Sequence, residues 1–235
     1  MKALIFDCDG VLVDTERDGH RVAFNRAFAE FGIDAEWDVD TYGELLRVAG
    51  GKERMRAYFD KVGWPPGRDD RDQLIADLHK RKTAIFTELI ASGRLPLRSG
   101  VARLVDEASA AGIRLGVCTT SAPASVSGVL DLLGPERKAR FEIVLAGDVV
   151  SKKKPDPEIY VLARERLGLP AAECVVIEDS RNGLLAARGA GMPCLITTSA
   201  YTRDEDFTGA AKVVPELGDP PNPHVTLADL AALAA

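Results

Sequence analysis

Five short apolar runs punctuate the chain, Ala3–Phe6, Ile113–Cys118, Ile143–Leu145, Cys174–Ile177 and Cys194–Ile196, with helical periodicity filling most of the intervals. Runs this short and continuous read as strands buried on both faces. Their alternation with helices predicts an α/β fold, a parallel sheet with helices on both faces. Val101, Leu104, Val105 and Ala108 make one helical stripe, and Ile159, Leu162 and Ala163 another. Gly112, Gly168 and Gly191 close helices just ahead of the next strand. One interval breaks the rhythm: the roughly 80 residues after Val13 hold no convincing strand and are too long for one crossover. They are expected to form a helical unit of their own. Phe24, Ala27, Phe28 and Phe31 fall at helical spacing within it, as do Met55, Phe59 and Val62, and Leu74, Ile75, Leu78, Ile85 and Leu89. The expected division is a sheet domain over residues 1–13 and 94–235 and a small helical domain over 14–93.

With 235 residues, 46% hydrophobic and 28% charged, the chain can bury a full core without metals or disulfides. Cys8, Cys118, Cys174 and Cys194 lack C-x-x-C spacing and lie in or beside apolar runs, so they read as buried thiols. The net charge of −6 argues against a nucleic-acid partner. The apolar N-terminal stretch meets Asp7 too soon for a signal peptide or a membrane span, so a cytoplasmic location and no membrane partner are expected. The oligomeric state is left open between monomer and weak dimer.

Ligands of an open parallel sheet bind beyond the carboxyl ends of its strands. Four such ends carry chemistry: Asp7-Cys8-Asp9-Gly10, Thr119-Thr120-Ser121, Gly147-Asp148 leading to Lys152-Lys153-Lys154-Pro155, and Glu178-Asp179-Ser180. A period of two aims Asp7 and Asp9 to one side and Cys8 into packing. Gathering Asp7, Asp9, Glu178 and Asp179 concentrates negative charge, which a divalent cation such as Mg²⁺ with oxygen ligands relieves. One lysine and one hydroxyl would then hold the remaining oxygens of a phosphoryl group.

Asp7-x-Asp9-Gly10-Val11, Thr119, Lys154-Pro155 and Glu178-Asp179 resemble, in order and spacing, the four motifs of the haloacid dehalogenase superfamily. The helical insert is similar to that family's C1 cap. Thr15-Glu16, Gly50-Gly51-Lys52-Glu53-Arg54, His79-x-x-Lys82-Thr83, Ala146-Gly147-Asp148 and Tyr201-Thr202 resemble the CbbY-like sugar phosphatases. The resemblance implies a Rossmannoid core and a phosphoric monoester hydrolase in which Asp7 is the nucleophile and Asp9 the general acid and base. It implies that Thr119 and Lys154 bind the phosphoryl group, and that Mg²⁺ is held by Asp7, the main-chain carbonyl of Asp9 and Asp179. Glu178 would be a direct or water-bridged partner of the ion. The implied ligand is a small phosphorylated sugar, with xylulose 1,5-bisphosphate the leading candidate. Glu16, Gly50, Gly51, Lys52, Arg54, His79, Lys82, Thr120 and Ser121 are its candidate contacts.

Physical reading supports part of that set. Lys82 falls on the apolar stripe of its helix, where a lysine must snorkel or meet an anion. Gly50-Gly51 opens a helix whose free N–H groups suit an anion. With Lys52 or Arg54 these groups suggest a second phosphate, bound away from the catalytic one. His20 follows Glu16 by four residues and reads as half of an exposed pair, and Lys152 and Lys153 read as surface charges. Asp9 argues against a dehalogenase, which needs no second acid. A β-phosphoglucomutase-like phosphomutase shares every motif and stands as the alternative. A catalytically silent binding protein is the reading from another class, against which every expected motif residue is present.

Overall fold

The computed structural model describes residues 1–234. Its centre is one six-stranded parallel sheet built from β1 (Ala3–Phe6), β2 (Arg114–Thr119), β3 (Phe141–Ala146), β4 (Cys174–Glu178), β5 (Cys194–Thr197) and β6 (Lys212–Val214). The strand order is β3-β2-β1-β4-β5-β6, which places β1 in the middle, paired with β2 on one side and β4 on the other. Alternate residues of β1 enter different cores: Leu4 and Phe6 join one apolar cluster, Ala3 and Ile5 the other. That two-sided burial is why the strands read as unbroken apolar runs. Only β6 escaped the sequence, being three residues long at the sheet edge with Val213 exposed.

Helices α5 (Val101–Ala110) and α10 (Leu227–Leu233) pack on one face, and α8 (Glu158–Leu167) and α9 (Arg181–Gly189) on the other. The caps are local. Ser180 Oγ accepts from Gly183 N–H at 3.1 Å to start α9, and Thr226 with Asp229 forms a capping box on α10. The expected stripe of α5 is buried, whereas in α8 Tyr160 is buried and Leu162 is only half-buried. All four cysteines are buried free thiols. No helix among the described residues is long and apolar enough to cross a membrane.

Between β1 and α5 lie a π-helical turn (Glu16–His20), α1 (Arg21–Glu30), α2 (Val39–Leu45), α3 (Gly51–Val62) and α4 (Arg71–Ala91). The chain leaves and re-enters beside Val13, which bridges Asp9 in parallel and Leu97 in antiparallel register. An aromatic nest ties these helices together: Trp37 lies 4.7 Å from Phe24 and 4.9 Å from Phe28 between ring centroids. Asn25 both donates to and accepts from the Trp37 backbone, at 2.8 and 2.9 Å. α4 packs against α6 (Pro123–Asp131), which the short α7 (Pro135–Lys138) follows, so one apolar cluster runs continuously from the insert into the sheet.

Candidate active site

A cleft opens where the strand order reverses, above the carboxyl ends of β1, β2 and β4. Asp7 and Asp9 stand side by side in its floor, with Cys8 turned into the core between them. Lys154, reaching in from the loop before α8, is buried among them. Its ammonium donates to Asp7 Oδ1 at 2.7 Å, to Glu178 Oε1 at 2.5 Å and to the Cys118 carbonyl at 2.9 Å. Thr119 at the tip of β2 is buried, and its hydroxyl oxygen accepts from Ser121 N–H at 3.1 Å.

Two glycines make this packing possible. Gly10 has φ +77°, and a Cβ there would lie 2.0 Å from Asp179 Oδ2. At Gly183 a Cβ would lie 1.9 Å from the Glu178 carboxyl carbon. Glu178 is therefore pressed flat on the first turn of α9. It is fully engaged there, accepting from Lys154, from Tyr160 Oη at 2.6 Å and from Asp179 N–H at 3.1 Å.

The carboxylates of Asp7, Glu178 and Asp179 come within 4.8 Å of one another, and Lys154 pairs with the first two of them. Burial pushes the Asp7 carboxyl up to about 8; Lys154 offsets part of this, while Glu178 and Asp9 add to it. Burial, then Glu178 and Asp7, also push Asp179 well above the usual carboxylate range. Three buried carboxylates against one ammonium fit an added hard cation with oxygen ligands.

Asp9 behaves differently. Burial would raise it too, but His20 and then the hydroxyls of Ser121 and Thr15 outweigh burial and hold it below the usual range. Thr15 Oγ1 donates to Asp9 Oδ1 at 2.5 Å, His20 Nε2 lies 2.8 Å from that same oxygen, and Ser121 Oγ donates to Oδ2. Its side chain is thus committed to donors from the insert and from the loop after β2.

His20 corrects the sequence reading. It is 2% exposed rather than half of a surface pair. The segment is a π-helical turn, with Thr15 C=O accepting from His20 N–H at 2.7 Å, so a spacing of four no longer marks one exposed face. Lys82 Nζ lies 2.8 Å from His20 Nδ1, over the rings of Phe24 and Phe86 at 4.7 and 5.3 Å. A lysine expected to face substrate alone is joined through His20 to Asp9. Burial lowers its pKa to about 8.

The other candidate contacts divide. Glu16, Gly50, Gly51, Arg54, His79, Lys82, Thr120 and Ser121 all line the cleft. Lys52 does not; it pairs with Asp148. Lys153, read as a surface charge, is also paired, to Asp148 at 2.9 Å and to Glu53 at 3.3 Å. Together these four charges stitch the first turn of α3 to the loop after β3. Only Lys152 is left as a solvated charge, 3.9 Å from Asp156. Ser199, Thr202, Asn182 and Glu205 line the opposite wall. The first two follow β5: Thr202 belongs to the Tyr201-Thr202 step already noted in the sequence, inspection of a fifth strand end would have found Ser199, and Glu205 had no local signal.

His79 shares the cleft without a charge. Burial and then Lys82, Lys52 and Lys153 lower its pKa to about 4. Between that value and 6.5 the unfolded chain binds a proton that the folded one refuses, so stability is lost as pH falls through this window. His79→Gln is expected to flatten that limb, which at its fullest is on the order of 3 kcal/mol. Urea unfolding from pH 7 to pH 4 checks it, and an unchanged slope would count against a neutral buried His79.

Residues 1–191 match the haloacid dehalogenase-like hydrolase family, and residues 152–232 match a second, HAD-hydrolase-like family. The chain belongs to the haloacid dehalogenase-like hydrolases. This hydrolase is 55% identical over 231 residues to a CBBY-like protein of Arabidopsis thaliana, covering 96% of this chain and 72% of that protein. Its fold superposes with a TM-score of 0.90 on a mutant CbbY from Rhodobacter sphaeroides in complex with xylulose 1,5-bisphosphate, at 40% identity over 98% of this chain and 99% of that one. A putative β-phosphoglucomutase from Thermotoga maritima is similar at 27% identity and TM-score 0.65, covering 91% and 94% of the two chains. With its family's motifs assembled in one cleft, this hydrolase is a phosphatase.

Proposed function

We propose that this hydrolase removes one phosphate from a small sugar bisphosphate, with xylulose 1,5-bisphosphate its substrate and xylulose 5-phosphate its product. The observation that carries this reading is Arg54. It is buried, lines the same cleft as Asp7, and has no carboxylate at ion-pair distance among the described residues. A buried guanidinium without an anion is costly, and a second substrate phosphate removes that cost. The CbbY complex with xylulose 1,5-bisphosphate supports the same choice.

On this reading residues 14–93 act as a cap over the core formed by 1–13 and 94–235. An oxygen of Asp7 attacks phosphorus, the ester P–O bond breaks, and Asp9 gives its proton to the leaving sugar oxygen. Water then yields a proton to Asp9 and attacks the aspartyl-phosphate, freeing phosphate and Asp7. Asp9 as seen here, an anion held by three donors, suits the second half. The first half needs its carboxyl protonated and freed from Thr15 and Ser121. Lys154 and Thr119 hold the phosphoryl oxygens.

Mg²⁺ would be held by Asp7, Asp179 and the Asp9 carbonyl, and it would neutralise charge on the phosphoryl group. The full engagement of Glu178 favours its water-bridged role. Chelation followed by gel filtration is expected to abolish turnover, and added Mg²⁺ to restore it; undiminished turnover would remove the metal.

Phosphate release from xylulose 1,5-bisphosphate and from a small aryl phosphate, without any primer, tests the function. Arg54→Ala is expected to raise KM for the bisphosphate by about 10–100-fold and to affect the aryl ester far less. Lys82→Ala is expected to slow both substrates, because it also unties His20 from Asp9. Isomerisation of a hexose 1-phosphate without net phosphate release would instead establish a mutase.

A further inference from the structure

Tyr42 has no place in the motifs, does not line the cleft, and is 0% exposed. Its ring, carried on α2, is wedged between Trp37 at 5.9 Å, Tyr201 at 5.8 Å and Phe24 at 6.2 Å. Its hydroxyl is placed between two charges of the cleft wall. Tyr42 Oη donates to Glu16 Oε2 and accepts from Arg54 Nη1 at 2.9 Å. The Arg54 guanidinium also sits 5.2 Å above the ring centroid, and its Nε donates to the Leu45 carbonyl at 3.2 Å. Glu16 and Arg54 themselves do not reach ion-pair distance; the phenol oxygen occupies the place where they would meet.

We propose that Tyr42 is a positioning residue whose hydroxyl keeps Glu16 and Arg54 from closing on each other, so that Arg54 stays open to a substrate phosphate and Glu16 to a substrate hydroxyl. Opposite charges this near in a poorly hydrated wall attract strongly, and a direct carboxylate–guanidinium pair would be bidentate and self-satisfied. Such a pair would have to be broken each time substrate entered. A phenol is suited to prevent it: one proton to give, lone pairs to accept, and a rigid ring that cannot swing aside. Serine or threonine on α2 would not reach as far, and phenylalanine would leave the gap empty of partners. The phenol also stays protonated, because burial and then the neighbouring Glu16, only partly offset by Arg54, keep its pKa well above the ordinary value.

The inference concerns the two side chains and rests on the bisphosphate reading only for the identity of the anion. Its test therefore has one readout that needs no substrate. The crystal structure of Tyr42→Phe is expected to show Glu16 and Arg54 in direct contact, at about 2.8 Å. In kinetics the variant is expected to raise KM for xylulose 1,5-bisphosphate by about 10-fold or more, with kcat changed little and the aryl phosphate unaffected. In a Glu16→Gln background, where no ion pair can close, Tyr42→Phe is expected to add almost nothing to KM. Glu16 and Arg54 still apart in the variant would overturn the proposal, and so would an equal KM penalty in both backgrounds, which marks plain packing. If the wild type leaves the bisphosphate untouched, the substrate reading falls while the distance still decides the role of Tyr42.

Discussion

Replacing Asp7 by asparagine is expected to abolish turnover, with a loss on the order of 10⁶-fold, while the metal-free protein becomes no less stable. An amide keeps the shape of the carboxylate but cannot attack phosphorus. The stability half follows from the strain of the site. Burial, with Glu178 and Asp9, outweighs Lys154 and holds the Asp7 carboxyl near 8 instead of 3.8. The folded protein therefore binds a proton that the unfolded chain has released between those values. Stability is lost as pH rises through that window, and the loss is complete above about 8. Asparagine has no such slope. Urea unfolding in chelator from pH 5 to pH 8.5 checks this: the wild type should weaken relative to Asp7→Asn. Phosphate-ester hydrolysis by Asp7→Asn near the normal rate would remove Asp7 as the nucleophile.

Lys154→Met should fail in the opposite way, losing both activity and fold. Its ammonium is the one cation among the described residues that contacts both Asp7 and Glu178, and it also satisfies the Cys118 carbonyl. Removing one partner from a buried ion pair typically costs about 3–5 kcal/mol, because the other charges stay behind. The expected result is a destabilisation of that size with turnover below detection. Combining the change with Asp7→Asn should recover part of the stability, since one of the stranded carboxylates is then gone. Equal stability of Lys154→Met and wild type would mean that Asp7 and Glu178 do not load this lysine as described.

Both variants act on residues that were legible in the sequence, for a physical reason. A parallel sheet buried on two faces writes its strands as unbroken apolar runs, and polar side chains just beyond them have little reason to be there except the cleft. Asp7, Thr119 and Asp179 could be found that way, whereas Lys154, one of three lysines in the loop after β3, stood out only through the family pattern in which it abuts Pro155. What could not be read is what crosses between the insert and the sheet. Lys52 looked like a phosphate ligand because its partner, Asp148, is remote in sequence. Lys82 was placed on a buried stripe correctly, yet the stripe could not say that it meets His20. His20 was misread because a π-helical turn breaks the period on which the reading relied. Tyr42 sits on a short helix of seven residues, and its partners come from two other elements of the insert.

The central position of β1 also shapes how the protein is made. This strand is made before both of its neighbours, β2 and β4, and the second of these begins only at Cys174. Translation at about 5–20 residues per second leaves one edge of β1 without its partner for on the order of 10–30 s. Throughout that time Asp7 exists without Glu178 and Asp179, so a nascent or truncated chain ending before β4 lacks the carboxylate cluster of the cleft. Such a chain should be catalytically inert, and, with an apolar strand edge unpaired, it is the form of this protein most dependent on chaperones.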